Sequence, residues 1–105
     1  MKIRVTLDIN VEMGNLSSEG TSCQGYLPKG TRYKDIVRAF GRPQYKSSRD
    51  SKIGVEWVGK INDLVFTIYD YKSSLAPQKN LSWHIGGKNV FTAQLVNFFL
   101  VAKIK

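Results

Sequence analysis

The chain has 105 residues, of which 42% are hydrophobic and 23% are charged, and this composition fits one globular domain and excludes a long disordered chain. Sixteen Lys and Arg residues face eight Asp and Glu residues, so the formal net charge is +8. Charge of this sign attracts phosphates and acidic protein surfaces, although a gain in solubility alone would also explain it.

Cysteine and histidine are too scarce for several common classes of protein. A single cysteine, Cys23, excludes an internal disulfide, and with one histidine, His84, it gives little support for a metal site. The apolar stretch 95–102 is far shorter than the roughly 20 residues that cross a bilayer. Residues 1–10 lack the apolar block of a signal peptide. We therefore expect a cytoplasmic protein with no metal, cofactor or membrane partner.

The N-terminal part of the chain predicts two strands separated by a loop. Apolar and polar residues alternate over 2–11, which is typical of a half-buried strand. Residues 13–22 are rich in Gly, Ser and Asn, and they predict a mobile loop. Residues 23–27 are expected to form a short second strand.

A helix is predicted at about 32–40. Its apolar residues recur at helical spacing, and Thr31 offers a hydroxyl as its N-cap. Gly41 suits the left-handed residue after a helix, and Pro43 keeps the helix from resuming. The residues that follow, 42–53, have no periodic pattern and predict a basic loop.

A hairpin is predicted in the middle of the chain. The run 55–61 and the run 64–72 flank Asn62-Asp63, which suits a two-residue turn. With that turn, Glu56 lies opposite Tyr69. Both faces of the returning strand are apolar, so we expect it to be central in the sheet.

The C-terminal part predicts a loop, a short strand at 82–85 and a last helix at about 90–103, capped by Asn89. Four apolar residues at helical spacing predict the buried stripe of that helix, and they are Phe91, Leu95, Phe98 and Ala102. The fold class is therefore α+β, a single domain with a mainly antiparallel sheet of four to five strands and two helices packed on it.

Four phrases of the sequence are familiar in combination: KGTRYKDIVRAFGRP at 29–43, DSKIGVEW at 50–57, VFTIYDYK at 65–72 and WHIGG at 83–87. Together they resemble small bacteriophage and prophage proteins, in which a K-G-T-x-Y helix ends in F-G-x-P and W-H-I-G-G precedes the last helix. The chain departs from that pattern at its Asn-Asp turn, where Asp-Gly is more usual. The resemblance implies an accessory protein inside an infected bacterium, such as an anti-CRISPR-like inhibitor of host defence.

Half of the basic residues lie between positions 29 and 52, with only Asp35 and Asp50 as acids. They are Lys29, Arg32, Lys34, Arg38, Arg42, Lys46, Arg49 and Lys52. We predict that this basic segment contacts an anionic partner, either nucleic acid, a nucleotide or an acidic host protein. A solvated helix face and loop is the alternative interpretation.

Two further groups of residues are candidates for binding. Gly86, Gly87 and Lys88 open the last helix and could receive an anion on free backbone N–H groups, although the glycines could simply form a turn. The aromatic residues could stack nucleobases, or they could belong to the core. Those considered are Tyr45, Trp57, Tyr69, Tyr71 and Trp83. Tyr71, beside Lys72 at a strand end, is the best stacking candidate, whereas Trp57 suits the core.

Catalysis has little support, because no carboxylate cluster, nucleophile elbow or phosphate-loop spacing is present in the sequence. His84 has no carboxylate or serine partner nearby in sequence, and we expect it to make a structural hydrogen bond. A small nucleotide hydrolase remains the least favoured hypothesis. The last helix is apolar on more than one side, so docking to another protein or homo-oligomerisation is the main alternative to anion binding.

Overall fold

The computed structural model describes residues 8–14, 17–46, 54–71 and 75–104. The elements in chain order are β1 Val11–Met13, β2 Ser22–Tyr26, α1 Tyr33–Phe40, β3 Tyr45–Lys46, β4 Val55–Ile61, β5 Leu64–Tyr69, β6 His84–Gly87 and α2 Val90–Ile104. A 3-10 helix at Pro77–Lys79 precedes β6. Of the predicted binding residues, Arg49, Lys52 and Lys72 lie outside the described residues.

The six strands form one sheet, in which five follow the order β1-β4-β5-β6-β2 and β3 pairs with β4, and every pairing between them is antiparallel. Strands β1 and β3 share one edge of β4, since β1 pairs with its C-terminal half and β3 with its N-terminal half. The predicted α+β architecture is confirmed, and β5 is central as expected.

The predicted hairpin is present with its register. Asn62 and Asp63 have φ values of 47° and 66°, so both are left-handed, as a two-residue turn of this kind requires. The backbone and side chain of Asn62 also bond to residues 8 and 10, because its Oδ1 accepts from the Asn10 N–H at 2.8 Å. As predicted, Glu56 pairs with Tyr69.

Both helices cover one face of the sheet, and the core lies between. Trp57 and Trp83 meet edge to face with ring centroids 5.5 Å apart, and each indole is at most 1% exposed. Their N–H groups are satisfied by backbone carbonyls, since Trp57 donates to Gly41 at 2.8 Å and Trp83 to Thr31 at 3.0 Å. The prediction that Trp57 belongs to the core is therefore confirmed.

Several local predictions were wrong. Residues 8–10 form no strand, and β1 begins only at Val11, so the alternation over 2–11 overstated the strand in the described part. Residues 45–46 are not loop, because β4 offers them a free edge with which to pair. Thr31 does not cap α1: its hydroxyl bonds back to the Pro28 carbonyl at 2.6 Å, and the residue at the N-cap is Arg32.

The predicted buried stripe of α2 was also wrong in its phase. Phe91 and Phe98 are 54% and 57% exposed and Ala102 is exposed too, whereas Leu95 is buried as predicted. The cause is the close approach of α2 to the sheet at two glycines. A Cβ on Gly25 would stand 3.0 Å from the Ala93 Cβ, and one on Gly87 would stand 3.0 Å from Thr92. The small side of the helix therefore faces the sheet, and the phenylalanines turn outward.

Asn89 caps α2 as predicted, because its Oδ1 accepts from the Thr92 N–H at 3.0 Å.

Within the described ranges, neither helix has the length and apolar character needed to cross a membrane.

Candidate functional site

A continuous row of side chains crosses the face of the sheet turned away from the helices. Strand pairing places Tyr45 opposite Glu56, Glu56 opposite Tyr69, Tyr69 opposite His84, and His84 opposite Tyr26. Directly paired residues point to the same face, so these five side chains form one line, which we call the tyrosine row. Neighbouring strands are about 4.8 Å apart, which makes the row about 19 Å long.

The rings of the tyrosine row are in mutual contact around His84. The Tyr69 ring stacks on the imidazole with centroids 5.3 Å apart and planes inclined by 16°. Tyr26 lies 4.9 Å from the imidazole, and Tyr71, two residues beyond Tyr69, lies 5.7 Å from it. The Cys23 Sγ is 3.7 Å from His84 Nδ1, so the expected structural contact of this histidine is with a thiol.

A bulge in β2 brings Cys23 and Tyr26 to the same face. The register shifts between Cys23 and Gly25, so Cys23 pairs with Gly86 while Tyr26 pairs with His84. An extra residue in one strand reverses the alternation of side chains beyond it. Without the bulge, residues 23 and 26 would lie on opposite faces, and the row would end at His84.

The ionisable groups of the row are shifted towards their neutral forms. Burial lowers the pKa of His84, an effect that the charge of Asp70 partly offsets. Burial also raises the pKa of Tyr69 to about 12, with a further contribution from the Cys23 thiol. The pKa of Glu56 is raised because its carboxyl group is partly buried. The Tyr69 and His84 rings are therefore held in their neutral forms, and Glu56 is the one acidic side chain of the row.

A cavity of about 260 Å³ lies beside the row. Its floor is formed by Glu56, Thr67 and Gly86, with the Tyr69 side chain at one side. Segment 17–22 passes over the same part of the sheet, since Ser18, Thr21 and Ser22 also line the cavity. Pockets for whole small molecules measure roughly 300–1,000 Å³, so this cavity suits one ring system.

Six residues of the predicted basic segment are described, and all six are exposed: Lys29, Arg32, Lys34, Arg38, Arg42 and Lys46. They do not form one surface. Lys34 and Arg38 lie on α1, in the layer of helices on the far side of the sheet from the tyrosine row. Lys29 lies beside one end of the row instead, where it lines a cavity of about 550 Å³ together with Tyr26. Lys46 pairs with the buried Val55, so its side chain points to the face opposite Tyr45 and the row.

Arg32 is partly neutralised by its own helix. Its guanidinium makes two hydrogen bonds of 3.2 Å to the Asp35 carboxylate, and its backbone N–H adds a third of 2.9 Å. These bonds hold the pKa of Asp35 below its ordinary value. Arg32 is therefore less available to a partner than the basic residues that follow it.

The predicted glycine site has a packing role in the structure. Gly86 and Gly87 belong to β6, and a Cβ on Gly86 would collide with the Thr67 hydroxyl. Lys88 is exposed, and its Cε lies 3.7 Å from where a Cβ on Gly20 would stand. A cation thus lies beside the segment that borders the small cavity.

Sequence reasoning missed Tyr26, Cys23 and Glu56 as members of a site. Glu56 was recoverable, because the hairpin register already placed it against Tyr69. The position of Tyr26 in the row could not be predicted, because it depends on the β2 bulge, and no residue pattern in the sequence indicates that bulge. Among the described residues, no group of three or more His, Cys, Asp or Glu side chains is placed to hold a metal ion.

Comparison with protein-family models, curated proteins and solved structures found no match to this chain.

Proposed function

We propose that this protein binds single-stranded nucleic acid on the tyrosine row, with Lys29 at the Tyr26 end of the row contacting a phosphate. The observation that carries the proposal is the alignment of Tyr45, Tyr69, His84 and Tyr26 across paired strands on one face. Unpaired bases stack on aromatic rings, and sheets bearing such rings bind two or three successive bases in a common mode of RNA recognition.

Exposure of the rings supports stacking as their role. Tyr26 is 59% exposed, Tyr45 is 46% exposed and Tyr71 is 42% exposed, although tyrosine is an amphipathic residue that is often largely buried. A soluble domain gains no stability from aromatic rings left in water. Rings gathered on one face are therefore better explained by a ligand that covers them.

The charge of the chain favours a polyanion as that ligand. The net charge is +8, and Lys29 lies beside Tyr26 at one end of the row, where a strand crossing the sheet would carry a phosphate. Phosphate contacts release counterions, so affinity should fall as salt rises. A duplex would keep its bases stacked inside and would leave the tyrosines unused.

The resemblance to phage and prophage proteins supplies a biological setting for this binding. An accessory protein acting in the cytoplasm of an infected bacterium could capture the nucleic acid on which a host defence depends. We therefore propose an anti-defence inhibitor as the role, with an acidic host protein or a nucleotide signal as alternative anionic partners.

The proposal is tested by fluorescence anisotropy with labelled single-stranded and double-stranded DNA and RNA at about 50 and 200 mM salt. The parent protein should bind single strands more tightly than duplexes and lose affinity many-fold at the higher salt. The double variant Tyr26→Ala/Tyr45→Ala removes two stacking rings worth about 1–3 kcal/mol each, so affinity should fall at least about tenfold.

Phe98→Ala is the matched control, because it removes an exposed aromatic ring from α2, on the other side of the molecule. This control should bind like the parent protein. Equal affinity of the double tyrosine variant and the parent would contradict the proposal, as would duplexes binding as tightly as single strands.

Docking to another protein through α2 is the second candidate function. Val90, Phe91 and Phe98 are each more than half exposed on this helix, with fractions of 59%, 54% and 57%. Apolar side chains concentrated on one helix mark many contact surfaces. Light scattering at increasing protein concentration tests self-association. A mass that rises with concentration in the parent, but not in Phe98→Asp, would support this candidate.

A further inference from the structure

We propose that the cavity over Glu56 is a pocket for a guanine base, supplied either by a nucleotide of the bound strand or by a free guanine nucleotide. This inference rests on the proposed function and gives it a base preference. Four observations support it: the size of the cavity, its acceptor group, its neighbouring aromatic ring and the charge around it.

The cavity is built at the place where the sheet leaves room for a flat ring. Gly86 has no side chain, and the Thr67 hydroxyl fills the place that a Cβ would take, so the floor stays low between β5 and β6. Segment 17–22 supplies the opposite wall through Ser18 and Thr21. The volume of about 260 Å³ lies just below that of pockets for whole small molecules, which suits a single base.

Glu56 is the group that would select the base. An ionised carboxylate is an acceptor on both oxygens, and guanine is the one common base with two adjacent N–H donors, N1–H and N2–H, on its Watson–Crick edge. Adenine, cytosine and uracil each present an acceptor in at least one of the two matching positions. Among the described residues the ion pair found is Arg32–Asp35, so no described basic side chain pairs with Glu56. The carboxylate oxygens of Glu56 therefore remain available to accept hydrogen bonds from a base.

The surroundings favour a nucleotide over a cationic ligand. A partly buried carboxylate beside tyrosine rings could also hold an ammonium or guanidinium group, but a chain of net charge +8 repels cations at long range. Lys88 lies against Gly20 of the wall segment, where it can meet a phosphate attached to the bound base. Lys88 does not line the cavity itself, but it is a cation next to the segment that forms the cavity wall.

The test uses labelled RNA hexamers of uridine in which one internal base is guanine, adenine, cytosine or uracil, and it measures their affinities by anisotropy. The guanine strand should bind about tenfold more tightly than the other three. Glu56→Gln keeps the shape of the side chain but replaces one acceptor oxygen with a donor, so it should bind all four strands equally, at the affinity of the uridine strand. Glu12→Gln, a change of an exposed carboxylate on the same face but away from the cavity, should keep the preference for guanine.

The possible outcomes separate this inference from the proposed function. Equal binding of the four strands by the parent protein, or a guanine preference that survives Glu56→Gln, overturns the guanine pocket and leaves strand binding intact. If no strand binds, the proposed function fails, and calorimetric titration with GMP and AMP then decides the pocket. Binding of GMP alone that Glu56→Gln abolishes would uphold the pocket for free nucleotides, and absence of GMP binding would overturn it.

Discussion

His84 is the only histidine of the chain, and its environment makes it a direct probe of the tyrosine row. The imidazole is packed against Tyr69 and Tyr26 and lies within 3.7 Å of the Cys23 thiol. Removing a charged group from water is costly, so this packing favours the neutral ring. The row is therefore held together by contacts between uncharged rings, and contact with a phosphate falls to Lys29 beside its Tyr26 end.

We expect the folded pKa of His84 to lie below its ordinary value of 6.5. A lowered pKa means that the unfolded chain binds the proton more readily, so the stability contributed by neutral His84 is complete above pH 6.5 and is lost as pH falls through the folded pKa. The imidazole proton signals in an NMR titration measure the pKa directly, since one histidine gives one set of signals. Replacement by Gln should remove this part of the pH dependence, and a measured pKa above 6.5 would contradict the packing described.

At the scale of elements, the β4–β5 turn shows how one dipeptide fixes a functional register. Both turn residues have positive φ, a backbone conformation that residues other than Gly, Asn and Asp avoid. Asn62 is further tied to residues 8 and 10 by hydrogen bonds. Within the described residues, Asp63 makes no such hydrogen bond. No hydrogen bond of its side chain there offsets the cost of its left-handed conformation.

Asp63→Gly should therefore raise the free energy of unfolding by about 0.5 kcal/mol. Glycine adopts the left-handed conformation without strain, and the greater flexibility that it gives the unfolded chain cancels only part of this gain. Asp63→Ala should destabilise it, because alanine tolerates positive φ less well than aspartate. Urea denaturation of the three proteins measures both changes. A lower midpoint for Asp63→Gly than for the parent would show that the turn is not strained at this residue.

The orientation of α2 can be tested by a matched pair of truncations. Leu100 is fully buried and Phe98 is 57% exposed, although a stripe through Phe91, Leu95 and Phe98 had predicted the opposite for Phe98. Leu100→Ala should cost about 2–5 kcal/mol of unfolding free energy, as large cavities in a core do. Phe98→Ala should change it by less than about 0.5 kcal/mol. A larger loss of unfolding free energy for Phe98→Ala than for Leu100→Ala would show that Phe98, and not Leu100, lies in the core.

Across the whole molecule, the sequence predicted the elements better than it predicted the site. Helix α1, the hairpin and the Glu56–Tyr69 pairing followed from local patterns, because a two-residue turn dictates the register of the strands it joins. The tyrosine row depends on β6 lying between β5 and β2, on a bulge in β2 and on a two-residue β3. These are long-range features that no local pattern encodes.

The prediction of one basic surface from the charge pattern of the sequence also held only in part. The cluster between residues 29 and 52 is dense in sequence, but the fold separates Lys34 and Arg38 on α1 from Lys29, which lies beside the Tyr26 end of the row. Nearness along the chain therefore overstated how much positive charge one ligand could meet. Lys34 and Arg38 on α1 form a second basic surface, which makes the location of the binding face the central question.

NMR titration of isotopically labelled protein with a single-stranded RNA answers that question most directly. If the strand lies on the tyrosine row, the largest amide shifts will occur in β2, β5 and β6, around Tyr26, Tyr69 and His84, and the α1 amides of Lys34 and Arg38 will remain close to their free positions. Shifts centred on α1 or on the exposed phenylalanines of α2, with the row unaffected, would contradict the assignment of the tyrosine row as the binding surface.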